Sequence, residues 1–529
     1  MPEQITSPDN TLQAARRPVK ADWVAGGLLV ILTLFRFWYD AHHELLQDEA
    51  YYWQWSRHLD WGYYDNTPLM APVIRFSTSI LGQTELGVRA GSTLASVVIS
   101  VFIYLLARRL LGTMVALVSV VLANTIPLFA AGSVIMTQDP FQIAFWAATL
   151  YAAHRALTDR PRWWYGVGIL AGLAAQAKLN ALLLFPSLFL YLLLSPTARS
   201  AWLRRPEPYL AGLIALLVLS PFFWWNQTHQ NAFWLHAHAM GSRGSGHDGA
   251  KWALRFLGDQ AILLSPLIFL TYLYTLVDGG RRGIKEKDDA VLYLWCPSIV
   301  TFTAIFATAL RSKVEGNWAV AAYLTGIILV AAVLVRLWEN GRVVGRVWVG
   351  LSAFFAVVLA LVAYFPALVY GPFVVLHRPL PKFLAQAVGR TNEFYGWRQL
   401  ADRVAQEQSA MGGDPFVFGI NYRMPSEVAF YLPGKPQTYS LFLSYRASEY
   451  MFWENPSALI GRNAVFIHDV DAIDPEQKRA LQSVFTRVEA QPPLCVYRNP
   501  PYTKPIRTIQ IVRCYGFKGY ETKRWQDGW

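Results

Sequence analysis

Charge is scarce in this chain of 529 residues. Only 16% of them are Asp, Glu, Lys or Arg, against the roughly 25% usual in soluble domains. With 54% apolar residues, that deficit excludes an ordinary water-soluble globule and points to an integral membrane protein. Negative charge is the scarcer sign, with 35 Asp and Glu against 47 Lys and Arg and a formal net charge of +12. Cysteine is almost absent, with three in all, which excludes a disulfide-built scaffold. Cys296 lies in an apolar run and reads as packing. Cys495 and Cys514 lie in the polar C-terminal part without metal-type spacing, and a disulfide between them stays open. No G-x-x-x-x-G-K-[ST] occurs, so nothing points to ATP hydrolysis. There is no internal repeat and no low-complexity tract. The spacing of His229, His236, His238 and His247 is not a zinc signature, so no cofactor is expected and a divalent metal has no support.

What the chain does have is a succession of apolar runs. A helix needs about 20 residues to cross a bilayer, and runs near that length lie at 23–39, 86–107, 113–132, 139–156, 163–177, 180–195, 209–225, 257–277, 290–310, 318–336 and 347–370. The count is about eleven spans. The first run is too long for a signal-peptide core and has no small-residue cleavage site, so it is expected to stay as a span. With residues 1–22 placed inside, the inner loops carry Arg108 and Arg109; Arg155, Arg160 and Arg162; Arg199, Arg204 and Arg205; Arg281, Arg282, Lys285 and Lys287; and Arg336, Arg342 and Arg346. Every inner loop is basic, as the positive-inside rule demands. That explains much of the net charge without nucleic acid.

The same alternation gathers several polar stretches on the outer side. They are the loop 40–85, the Ser133–Asp139 turn, the Lys178–Asn180 turn, the 226–256 loop, the Arg311–Asn317 loop and the part from 377 onward. The last, 377–529, contains an amphipathic GWRQLADRVAQEQ. It also has strand-like runs at 416–420, 464–470, 493–498 and 507–514, with helical stretches near 426–431 and 475–484 between some of them. The expected fold class is a multi-pass α-helical membrane protein, spanning 23–376, with a C-terminal extracytoplasmic α/β domain.

The densest stretch of all is Asp48–Pro72. Adjacent carboxylates, Asp48 and Glu49, sit among Tyr51, Tyr52, Trp53, Trp55, Trp61, Tyr63 and Tyr64. Aromatics at that density suit the membrane interface, where an acidic pair is costly unless it meets water, a cation or a ligand. An ordinary reading makes Asp48 the cap of a short helix beginning at Glu49. Asp139, in Met-Thr-Gln-Asp-Pro, likewise reads as a cap before a span. Lys178, in the break Gln-Ala-Lys-Leu-Asn-Ala, reads as a snorkelling side chain on the unusual side. In Arg311-Ser-Lys-Val-Glu-Gly-Asn-Trp, two cations and an acid read either as a local salt bridge or as a phosphate clamp. The Gly- and Ser-rich stretch 241–249 reads as a flap.

Asp-Glu-Ala-Tyr-Tyr-Trp followed by Gly-Tyr-Tyr-Asp and a Pro-Leu resembles the first outer loop of GT-C membrane glycosyltransferases. The closer likeness is to the bacterial branch related to protein O-mannosyltransferases and to the lipid A aminoarabinose transferase. Trp-Asn-x-x-His at 225–229, Tyr395-Gly396-Trp397-Arg398 and Glu427–Pro433 resemble that branch as well. The resemblance implies an inverting-type transfer from a polyprenyl-phosphate sugar, hexosyl or pentosyl, to a hydroxyl of a lipid or glycan at the periplasmic face of a bacterial inner membrane. Lipid A, lipopolysaccharide or another cell-envelope glycan is the expected acceptor. It implies that Asp48 is the base and Asp139 the second active-site acid. Glu49, Tyr64, Lys178, Asn180, His238, Arg311, Lys313 and Glu315 become the expected substrate-binding residues. The family's His-Pro-Pro or Glu-Lys-Pro is replaced here by Asn66-Thr67-Pro68, which weakens any transfer of aminoarabinose specificity or of a metal site. Three rivals are a protein O-mannosyltransferase-like enzyme, a flippase or transporter of lipid-linked sugars, and a non-catalytic scaffold. A transporter should show charges buried within spans and broken helices in related halves. Here the notable charges fall at outer ends and no repeat is visible.

Overall fold

The computed structural model describes residues 20–242, 248–375, 389, 391–441, 447–453, 455–470, 473–497 and 505–519. The expected flap at 241–249 lies mostly outside them, as does His247. Among the described residues six helices are long and apolar enough to cross a membrane: Lys20–His42, Glu85–Leu111, Glu207–Thr228, Asp289–Ala309, Gly316–Glu339 and Val343–Tyr364. Two more candidates are bent pairs, Leu179–Leu194 with Pro196–Trp202 at 106°, and Gly249–Leu264 with Pro266–Lys285 at 114°. The chain is a multi-pass helical membrane protein with a C-terminal sheet region.

Proline sets most departures from the expected runs, because it has no N–H and pushes the preceding residue out of the helical region. The run 113–132 is two helices, Thr113–Thr125 and Pro127–Gly132, with Ile126 extended between them. The run 257–277 is broken at Ser265, which takes φ +79° ahead of Pro266. The run 347–370 stops at Tyr364, two residues before Pro366, and a short helix Ala367–Val375 follows. The loop 40–85 is itself built of two helices, Gln47–Arg57 and Met70–Leu81. Small residues set one close helix contact. A Cβ on Gly168 would lie 2.6 Å from the Ala211 carbonyl oxygen, and one on Gly172 would lie 2.6 Å from Val218 Cβ. The helix Trp163–Ala177 therefore packs backbone-close on Glu207–Thr228, in the small-xxx-small manner of membrane helices.

Arg36, Asp40 and Arg89 are fully buried in the bundle, so the expectation that notable charges sit only at outer ends needs correcting. Arg36 donates to Ser96 Oγ (2.9 Å), Asn124 Oδ1 (2.9 Å) and the Tyr364 hydroxyl (3.2 Å). It thereby joins four helices through neutral oxygens.

The C-terminal sheet runs β2-β1-β3-β6-β4, with β1 Phe416–Gly419, β2 Tyr439–Ser440, β3 Ala464–His468, β4 Phe485–Ala490, β5 Leu494–Val496 and β6 Arg507–Phe517. β1 is parallel to β2 and β3; β6 is antiparallel to β3, β4 and β5. Trp397, Leu400 and Val404 pack with Val417, Ile467 and Ile511 in one apolar layer, and Phe416, Phe418, Phe466, Leu481 and Phe485 form another. β4, Phe-Thr-Arg-Val-Glu-Ala, was not expected, because it is a mostly exposed edge with weak alternation. Cys495 is exposed on β5 and Cys514 is buried on β6, and both are free thiols.

The sheet region sits against both ends of the outer loop 40–85. Leu45 N–H donates to the Tyr431 hydroxyl (2.8 Å), Trp397 N–H donates to Glu44 (2.8 Å), and Arg398 pairs with Glu85.

Candidate active site

The helix Gln47–Arg57 presents the carboxylate pair in two different environments. Leu46, not Asp48, occupies its N-cap position. Glu49 turns inward and is fully buried. Its carboxylate pairs with Arg89 Nη2 at 2.5 Å and accepts from Leu46 N–H (2.8 Å) and Met136 N–H (2.7 Å). Arg89 is satisfied in turn by the carbonyls of His43 and Glu44, each at 2.8 Å. Two buried charges meet with their remaining hydrogen-bonding capacity filled, the condition under which such a pair is tolerated. Glu49 is therefore a structural hub. One residue earlier Asp48 points the other way and is exposed. Its Oδ1 accepts from the Tyr422 hydroxyl at 3.0 Å.

Asp139 is not a cap either. Thr137 holds the N-cap position of Gln138–Thr158. The Asp139 carboxylate instead takes Lys178 Nζ at 2.6 Å and Asn317 Nδ2 at 2.5 Å. Three of the separated outer stretches thus converge on one carboxylate. Lys178 can reach it because the helix Trp163–Ala177 ends there and Lys178 itself is extended. Nearby, Gln142 donates to Asn180 Oδ1 at 2.6 Å. The turn carrying Asp139 is tied to the Asp48 helix through the Met136–Glu49 bond.

The other expected residues divide. Lys313 pairs locally with Glu315 at 3.0 Å, while the Arg311 side chain is exposed and in no ion pair among the described residues. Tyr64 is buried, its N–H donates to Glu449 (2.5 Å), and its ring lies 4.8 Å from that of His236. His238 is exposed on the same helix as His236, Ala232–Ser242. Asn317, Arg89, Gln142 and Tyr422 were not singled out as site residues. Among them only Arg89 carried a sequence signal, a charge four residues into a long apolar helix.

An apolar cavity of about 190 Å³ opens from the Asp139–Asn317 end, walled by Ile99, Leu128, Phe129 and Ile143. On the sheet side, burial pushes the carboxyls of Glu427 and Glu449 well above the usual carboxylate range; Glu49 and Glu44 add to the first, Asp65 and Asp60 to the second. Among the described residues no group of three His, Cys, Asp or Glu converges as a metal site. The arrangement offers a solvent-reachable carboxylate, a cation-bound carboxylate and an apolar recess at one end of a helical bundle.

Residues 65–225 match the family described as dolichyl-phosphate-mannose-protein mannosyltransferase. Over 324 residues, 60% of this chain and 67% of the relative, the sequence is 29% identical to the lipid A galacturonosyltransferase RgtD of Rhizobium johnstonii. The fold superimposes on ArnT from Cupriavidus metallidurans in the apo state with a TM-score of 0.61 and 16% identity, covering 93% of this chain and 97% of that one. The same protein bound to undecaprenyl phosphate gives 0.62 and 15%, covering 93% and 98%.

Proposed function

We infer that this chain, a GT-C membrane glycosyltransferase related to the lipid A-modifying enzymes and the O-mannosyltransferases, moves a sugar from a polyprenyl-phosphate donor to a hydroxyl of an envelope lipid or glycan. The acceptor is lipid A or another lipopolysaccharide part, and the site faces the periplasm. The likeness to a lipid A galacturonosyltransferase and the fold shared with an undecaprenyl phosphate-binding enzyme support that substrate pair.

An alcohol attacks poorly until its proton is being removed, so the reaction needs a base beside it. Asp48 takes that role: it is the member of the pair left exposed, at the head of a helix pinned by the buried Glu49–Arg89 contact. This is the observation that carries the reading. The acceptor oxygen attacks the anomeric carbon as its proton passes to Asp48. The bond to the phosphate oxygen breaks on the opposite face, and polyprenyl phosphate departs with the electron pair. Lys178, Arg311 and Lys313 offset the charge that grows on the phosphate, and Asp139 with Asn317 orients Lys178. The apolar cavity next to Asp139 gives the first isoprene units a dry wall.

The test is transfer in membranes supplied with polyprenyl-phosphate sugars and total lipids, comparing wild type with Asp48→Asn. Loss in a folded variant supports Asp48 as base, and undiminished transfer removes it. The family match favours a second reading with a protein hydroxyl as acceptor; labelled product in protein rather than lipid would establish it.

A further inference from the structure

The helix that carries Asp48 also lines a second cavity, one with cationic walls that shares no lining residue with the cavity at Asp139. It measures about 440 Å³ and is lined by Trp53, Arg57, Arg75, Gln83, Gly434 and Lys435. It is closed on one side by the helices Gln47–Arg57 and Met70–Leu81 and on the other by a turn of the C-terminal region.

Apart from the Gln83 amide oxygen, the polar side-chain atoms of this lining are donors. Arg57 gives one hydrogen bond to Gln54 Oε1 (3.1 Å) and one to the Pro436 carbonyl (3.5 Å), both neutral. Lys435 donates to the Phe430 carbonyl. Arg75 is exposed, with no side-chain hydrogen bond among the described residues. Gln83 spends its oxygen on Trp53 Nε1 at 2.5 Å, which leaves its amide N–H groups for the cavity. None of the three cations enters an ion pair among the described residues. Glu85, the carboxylate that acts most on Lys435, is already bonded to Arg398.

The cations are also held in place. The Arg57 guanidinium lies 4.9 Å from the Trp53 ring centre and the Lys435 ammonium 5.6 Å, so one indole carries both. Lys435 lies 3.9 Å from the Phe430 ring centre and takes φ +47°, a backbone region that side-chain-bearing residues seldom adopt. Burial lowers the proton affinity of both Arg57 and Lys435. Three positive groups that form no ion pair among the described residues surround an open cavity, and an oxyanion would complete that electrostatic unit. Arg57 stands nine residues after Asp48 on one helix, so the cavity lies roughly 14 Å along that axis from the proposed base.

We propose that this cavity is an oxyanion site that takes the phosphate headgroup of a membrane lipid, and that it holds an amphiphilic acceptor one headgroup length from Asp48. The binding rests on the cavity; its assignment to the acceptor rests on the transfer reading above.

The experiment uses full-length protein and native mass spectrometry with phosphatidic acid and phosphatidylcholine as probes. Wild type is compared with the double variant Arg75→Gln, Lys435→Gln. Wild type retains phosphatidic acid at about tenfold lower concentration than phosphatidylcholine, and the double variant loses that preference, as removal of charge-assisted contacts requires. Arg75→Gln alone, at an exposed position, weakens retention in the same direction if the double variant does not fold. Millimolar inorganic phosphate that displaces phosphatidic acid assigns the affinity to the headgroup; phosphate binding without any lipid preference assigns the site to free phosphate and overturns the lipid proposal. Absence of both, or a preference that survives in Arg75→Gln, Lys435→Gln, overturns the site itself. Intact phosphatidic acid binding in a protein that transfers sugar to no lipid would remove the acceptor assignment and leave the site standing.

Discussion

Tyr422 donates its hydroxyl to Asp48 at 3.0 Å across 374 positions of chain. A residue of the C-terminal region thus orients the proposed base on the first outer helix. Its ring stacks on Tyr51 at 4.0 Å, which fixes the direction of the hydroxyl. Tyr422→Phe keeps the ring and removes the bond. Loss of one hydrogen bond to a charged group is worth roughly 1.5 kcal/mol, so kcat should fall about tenfold with little change in donor KM. A fall confined to KM would place Tyr422 in substrate binding instead.

The adjacent acids should fail in different ways. Asp48→Asn should reduce transfer by about 10²–10⁴-fold, the range for a lost general base, and leave thermal stability unchanged because the side chain is exposed. Glu49→Gln should instead destabilise by roughly 3–5 kcal/mol, since it strands the buried Arg89 cation. Thermal unfolding of both variants in detergent separates the two outcomes. Equal stability of the two would remove the hub role of Glu49.

Glu427 gives a pH dependence of defined sign. Both its carboxyl oxygens are buried without a hydrogen-bond partner among the described residues, and burial raises its proton affinity in the folded state. The folded chain therefore binds more protons than the unfolded one above the ordinary glutamate range. Its contribution is least unfavourable in acid, and stability declines as pH rises from about 4.5 toward the raised value. Glu427→Gln should raise the melting temperature at pH 7 to 8 and have its gain shrink toward pH 4. A gain that is constant with pH would mean that shape, not ionisation, governs this position.

Thiol labelling tests the orientation. Cys495 is exposed, whereas Cys296 and Cys514 are buried and burial suppresses ionisation of the Cys514 thiol. A membrane-impermeant maleimide added to intact spheroplasts should label wild type once and Cys495→Ser not at all. Labelling only after the membrane is opened would put the sheet region on the other side.

The apolar runs located the helices because hydrocarbon leaves the backbone no partner but itself. Proline and Ser265 then decided where the runs at 113–132 and 257–277 divide, and a hydropathy reading passes over such breaks. Asp139, Lys178 and the stretch from Arg311 to Asn317 were each marked by charge at the end of a span. Their meeting on one carboxylate was not legible, since it depends on where three helix ends stop in space. Asn317 was visible as the end of the Arg311 loop, but its bond to Asp139 was not, because a neutral amide looks the same in a turn as in a site. The two roles of Asp48 and Glu49 follow from a 100° step around a helix, and only a helix starting at Gln47 sets which of them faces Arg89. β4 escaped notice because an edge strand with charged faces has no apolar alternation.

The Arg36 node bears on how the protein is made. Its oxygens arrive in order, Ser96 after 60 positions, Asn124 after 88 and Tyr364 only after 328. At roughly 5–20 residues per second, the first helix waits on the order of 16–66 s for the last of them. Once Asn124 has entered, the cation holds two of these three bonds until Tyr364 arrives. Entry of the helix Val343–Tyr364 then supplies the last of the three, so a chain stalled before it keeps an unfinished arginine inside the bundle.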